Sequence, residues 1–136
     1  MKLSYALLCD NAFLSIDKKV YIIGVFETIS AAKFPVTHPK FVIVGSIEPD
    51  KRDFKMSVNI VSDKGKTPVL GNIQEREVNL PENAKNQNFN FIIEVVNANF
   101  SEPGNYKVEI SIDTKVIGEI PFRLAEGSLG PAGTPS

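Results

Sequence analysis

A thiol and an imidazole come first, because a cysteine beside a histidine makes a nucleophile with its own base. This sequence of 136 residues holds one of each, Cys9 and His38. Neither sits in a partner motif, and no Gly-x-Ser-x-Gly elbow offers a serine in their place. Cys9 closes the apolar run Leu7-Leu8-Cys9, where a small buried hydrophobe is the expected role. His38 lies between Thr37 and Pro39, just ahead of an apolar run. Its ring nitrogens suit local hydrogen bonds, and it is the one side chain fitted to proton transfer near neutral pH.

Carboxylates are the next candidates. Glu48, Asp50 and Asp53 fall in one short stretch and could imitate an oxygen-rich calcium site at the end of a sheet. Calcium wants about six to eight oxygens, and Lys51 and Arg52 lie among these acids. Pairing among the charges, or solvation, is therefore expected, and no metal. A single cysteine and a single histidine exclude a Cys/His zinc cage and an intrachain disulfide. No glycine-rich phosphate loop occurs, so no nucleotide cofactor is expected. Lys51, Arg52 and Lys55 form the densest basic group, but the three acids offset it. With 15 basic against 16 acidic residues and net charge −1, no field gathers phosphate backbones or anionic lipid. Neither nucleic acid nor membrane is an expected partner.

The elements that must position these groups read as strands. There are 14 Ile and 13 Val against 8 Leu and 8 Ala, and branched side chains favour a pleated surface over a helix. Strict alternation over 54–60 and 106–113 puts Phe54, Met56, Val58 and Ile60, and Tyr106, Val108, Ile110 and Ile112, each on one buried face. The run 89–96 adds Ile92 and Val96 on the face opposite Phe89 and Phe91, so it is central, covered on both sides, or offers an apolar patch for self-association. Longer apolar strands are expected over 2–9, 18–29 and 39–48, with Gly24 and Gly45 marking a bulge or a close backbone approach. A weaker, bulged strand falls at 69–79. The last, 115–124, contains Pro121, which calls for an edge or a bulge.

Turn chemistry links these strands: Asp63-Lys64-Gly65-Lys66 and Glu102-Pro103-Gly104-Asn105 are tight turns. Ser15-Ile16-Asp17-Lys18-Lys19-Val20 and Ser111-Ile112-Asp113-Thr114-Lys115-Val116 share a pattern that reads as recurrent hairpin chemistry, not as a repeat. A cis bond is possible at His38-Pro39. About eight strands so spaced predict an all-β fold: an antiparallel two-sheet sandwich, immunoglobulin-like or related, over 1–124. Residues 125–136 are expected to form a flexible tail, and 81–88 a polar loop.

The blocks Ala6-Leu7-Leu8-Cys9-Asp10, Tyr21-Ile22-Ile23-Gly24-Val25-Phe26-Glu27, Phe34-Pro35-Val36-Thr37-His38-Pro39-Lys40-Phe41, Pro103-Gly104-Asn105-Tyr106 and Ile117-Gly118-Glu119-Ile120-Pro121-Phe122 carry a resemblance. They resemble a family of short bacterial proteins known as a domain of unknown function, over about residues 3 to 124. That resemblance implies a small all-β bacterial protein and brings no activity and no functional residue with it.

The expected function is a non-catalytic binding or assembly module, acting on a protein partner or on itself. A small-molecule pocket or enzyme near residues 30–53, with His38 as its titrating group, is the alternative. A structural subunit of a phage-derived assembly is a third reading. The candidate surfaces are the 30–39 corner with His38, the loop of Glu48, Asp50 and Asp53, the 81–88 loop, and the pair Ile92 and Val96. No secretion signal or membrane span is recognisable in the sequence, so the expected location is the cytoplasm.

Overall fold

A computed structural model describes residues 1–64, 74–84 and 87–127 of the chain. Among these, nine strands form two sheets: β1 (Lys2–Leu14), β2 (Val20–Phe26), β3 (Thr28–Ala31), β4 (Val36–Glu48), β5 (Asp53–Ser62), β6 (Gln74–Asn79), β7 (Phe89–Phe100), β8 (Gly104–Ile112) and β9 (Lys115–Glu126). One sheet has the order β2-β1-β4-β7, the other β3-β9-β8-β5-β6. Period-two patterning sends one side-chain set of each sheet inward. Phe41, Ile43 and Ile47 of β4 and Phe91, Ile93 and Val95 of β7 meet Met56, Val58 and Ile60 of β5 and Val108 and Ile110 of β8 in one buried core.

Several expected boundaries shift. The run expected as a single strand over 18–29 is two strands: β2 closes one sheet and β3 opens the other, so the chain changes sheets at Glu27. Pairing is antiparallel except for β3 with β9, which run parallel from Thr28↔Arg123 to Ala31↔Glu126. The expected 2–9 strand continues to Leu14, past Asp10, because β2 pairs with it there. The 30–39 corner is shorter than expected, since His38 and Pro39 lie inside β4, and the cis bond is Phe34-Pro35 and not His38-Pro39. Asn97, opposite Pro39, takes φ 54°, a value its short polar side chain tolerates.

Pro121 fits its place for a definite reason. Arg123 N–H donates to Glu27 O on the β3 side of β9, so position 121, two residues earlier, points its missing donor the same way. β3 does not reach that far, and no backbone acceptor loses a partner there. Locally, β9 is an edge. A register shift lies nearby, between Ile110 and Ser111 on β8.

Gly45 answers to a close approach. A β-carbon there would meet the Tyr5 carbonyl oxygen and the Phe91 ring, in the middle of the β1–β4–β7 ladder. Both segments sharing the Ser-Ile-Asp pattern are hairpin turns: Lys18 has φ 65°, and Asp113 and Thr114 have φ 50° and 72°, the double positive pair of a tight two-residue turn. Glu82–Ala84 form a single 3-10 turn within the 81–88 loop. The last strand ends at Glu126, so Ala125 and Glu126 belong to β9 and not to the tail expected over 125–136; the rest of that tail beyond 127, the glycine of the 63–66 turn and the first half of the 69–79 strand lie outside the described residues.

Candidate interaction surface

The thiol and the imidazole are kept apart by the ladder itself. Cys9 pairs with Val42 on β4, and His38 lies four residues back along that strand, roughly 13 Å away at strand rise. Cys9 is fully buried, its Sγ 3.8 Å from the Val42 carbonyl oxygen, and burial pushes its pKa up, away from the reactive thiolate. The His38 ring leans on Phe41 at 5.9 Å between centroids, and burial lowers its pKa below 6.5 against the opposing pull of a backbone bond and of Asp10. The two form no dyad.

The acids are parted in the same way. Glu48 pairs with Lys2, and Asp50 with the amino terminus of Met1 at 2.5 Å. Asp53 heads β5, opposite Asn79. Lys51 pairs with Asp113, which also accepts the Lys55 N–H at 2.9 Å, while Arg52 Nε donates to the Leu80 carbonyl. Among the described residues no three Asp, Glu, His or Cys side chains converge as a metal set. β4 carries His38 near one end and Glu48 at the other, roughly 33 Å apart, so the two cannot share a pocket. Two open hollows of about 500 Å³ each do occur. One is lined by Leu7, Val25, Phe26, Glu27, Pro121 and Arg123, where the open edges of β1 and β9 face each other; the other surrounds Met1, Asp50, Lys51, Asp113 and Ile117. His38 lines neither.

Ile92 and Val96 part company. Ile92 is half-buried against Cys9, Ala12, Val42 and Val44 on the outward face of its sheet, while Val96 is exposed. The cover over that face comes from β1 and β2. β1 pairs with β4 only as far as Cys9, so its last five residues leave the sheet with β2 as a hairpin arm. Ala12, Val20 and Ile22 of the arm pack onto the outward cluster. At the root of the arm Gly24 takes φ 74°, with the Asp10 side chain lying against it.

Much of the rest of the arm is uncovered. Phe13 and Tyr21 (both 45 % exposed), Leu14 (52 %), Ile23 (53 %), Val25 (59 %) and a fully exposed Ile16 concentrate bare apolar surface on this one hairpin. Phe13 and Tyr21 are direct cross-strand partners with rings stacked at 5.0 Å. β2 is also the edge of its sheet, and Val20–Phe26 carries no charge and no proline, the usual guards of an edge. Sequence reasoning placed Tyr21 to Phe26 in a longer apolar strand over 18–29, with neither face marked as exposed. A run that is apolar on both faces reads the same whether or not its second face is covered.

No functionally curated protein matches the chain. A Pseudomonas fluorescens alkylpurine DNA glycosylase AlkC, solved on DNA containing an abasic site analog, is similar in shape at 8% identity and a TM-score of 0.45. That likeness covers 88% of this chain and 30% of the glycosylase chain, too distant a match to bear on function. The family model of DUF6941, a family of unknown function, matches residues 4–125, and the chain belongs to that family.

Proposed function

We propose that this chain is a non-catalytic binding or assembly module whose contact surface is the β1–β2 arm, carried on an immunoglobulin-like sandwich. Two features support the fold reading. The order β9-β8-β5-β6, flanked by β3, follows the strand order of the extended immunoglobulin sheet, with β1 as an added strand between β2 and β4. The Tyr106 hydroxyl near the start of β8 donates to the Glu102 carbonyl at 2.6 Å, four residues upstream, the contact known as a tyrosine corner.

The functional reading rests on one observation: an uncharged edge strand, its hairpin partner and the turn between them hold six large apolar side chains in water. A monomer gains nothing from that exposure, and natural edges are normally guarded against it. The test is crosslinking in native host extract, comparing the wild type with Tyr21→Asp/Ile23→Asp. The expected result is a crosslinked complex that the variant loses while its melting temperature holds. A complex that forms equally well with the variant would refute the arm as the contact.

A further inference from the structure

We infer that the occupant of the arm is a second copy of this chain, joined through β2 to β2 in antiparallel register centred on Ile22; this rests on the binding-module reading above. A twofold contact that extends a sheet across two chains must pair residues whose side chains share a face, so its centre falls on a residue. Centring on Ile22 sets Tyr21 of one copy beside Ile23 of the other, and Val20 beside Gly24. Each is an aromatic or branched pair, or an end pair at the glycine where φ 74° already distorts the strand. Centring on Tyr21 would bring Lys19 against Ile23, and centring on Ile23 would force Gly24 into the middle of the ladder.

Charge favours the same arrangement. Val20–Phe26 is flanked by Asp17, Lys18 and Lys19 at one end, Lys19 paired with Asp17, and by Glu27 at the other, so antiparallel apposition sets an end of net positive charge against an acidic one. Parallel apposition would stack like charges. On the exposed face the stacked Phe13–Tyr21 pair of each copy then continues into Ile23 of the other, joining two four-stranded sheets into one.

The area sets the strength. Of the exposed apolar residues, Tyr21, Ile23 and Val25 lie on β2 itself, and their exposed parts come to on the order of 300 Å² per chain, well below the roughly 800 Å² per partner of a stable complex. A contact of that size is a weak, reversible one.

Two measurements on the purified full chain test it. By light scattering, the wild-type mass should rise from 14.9 kDa toward twice that value with concentration, and Tyr21→Asp/Ile23→Asp should remain at 14.9 kDa throughout. For the register, Tyr21→Cys and Ile23→Cys proteins are mixed and mildly oxidised. The mixture should form an intermolecular disulfide at least about tenfold faster than either variant alone, since facing residues in a ladder meet the geometry of the bond. The buried Cys9 does not compete. A wild type that stays at 14.9 kDa up to about millimolar concentration, or a mass rise unaffected by the Asp variants, overturns the second copy as occupant. Fastest crosslinking of Ile23→Cys with itself overturns the register. If the purified chain is monomeric while the complex in host extract still depends on the arm, self-pairing falls and the binding-module reading stands; if neither association depends on the arm, both fall.

Discussion

Removing the Tyr106 hydroxyl as Tyr106→Phe takes away one hydrogen bond and almost no packing. The ring stacks on Phe122 at 5.7 Å and meets Phe100 edge-on at 5.3 Å, contacts a phenylalanine keeps. What goes is the 2.6 Å bond to the Glu102 carbonyl, which pins the turn before β8 to the strand. A buried bond of this kind contributes about 1–1.5 kcal/mol, and the orphaned carbonyl has solvent to turn to. For a domain of this size that is a fall of about 3–6 °C in melting temperature. The hydroxyl also titrates. Burial holds the Tyr106 pKa above its usual 10.0, so above pH 10 the unfolded chain releases this proton more readily than the folded one. The stability it contributes is complete below pH 10 and is lost as pH rises through the folded value. Denaturant melts of wild type and Tyr106→Phe at neutral and alkaline pH should therefore differ at pH 7 and converge at high pH. A Tyr106→Phe protein as stable as the wild type at neutral pH would refute the corner as a structural bond.

Other perturbations follow the same logic. Gly45→Ala drives a methyl against the Tyr5 carbonyl oxygen and the Phe91 ring, and should cost about 1–3 kcal/mol in chemical denaturation. His38 has its pKa lowered by burial, so the unfolded chain takes up this proton first as pH falls through 6.5. Its share of the stability is complete above that value and lost below it, and His38→Gln should remove this part of the decline in melts between about pH 7 and 5. Ile23→Asp alters a side chain already 53 % exposed, so its cost to monomer stability should stay within about 1 kcal/mol while association is lost.

Where one face of a strand is covered and the other is wet, the pattern was legible. The alternation over 54–60 and 106–113 anticipated β5 and β8 closely, since Phe54, Met56, Val58 and Ile60, and Tyr106, Val108, Ile110 and Ile112, all face the core. The run 89–96 is the edge strand β7 and not a central one, but Ile92 on its second face is covered, because the arm's Ala12, Val20 and Ile22 share its cluster. Period two could not show which continuous apolar runs have two covers and which have one. Tyr21 to Phe26 and Phe41 to Gly45 look alike in sequence, yet Phe41, Val42, Ile43 and Val44 are fully buried and Tyr21, Ile23 and Val25 are bare. That difference depends on which strand neighbours each run, a long-range pairing no local pattern encodes. The sheet change at Glu27 was hidden for the same reason. The reactive side chains were few enough to weigh one by one, and their separation, Cys9 from His38 and Glu48 and Asp50 each beside its own cation, required the register.

Hydrogen exchange of the β2 amides as protein concentration is raised tests the arm as a self-pairing surface most directly. Val20 to Ile23 should gain protection with concentration in the wild type, and should gain none in Tyr21→Asp/Ile23→Asp. Exchange over β2 that is independent of concentration, with protection rising instead along β9 beside Pro121, would contradict the account and place the contact at the open stretch of β9 in the other sheet.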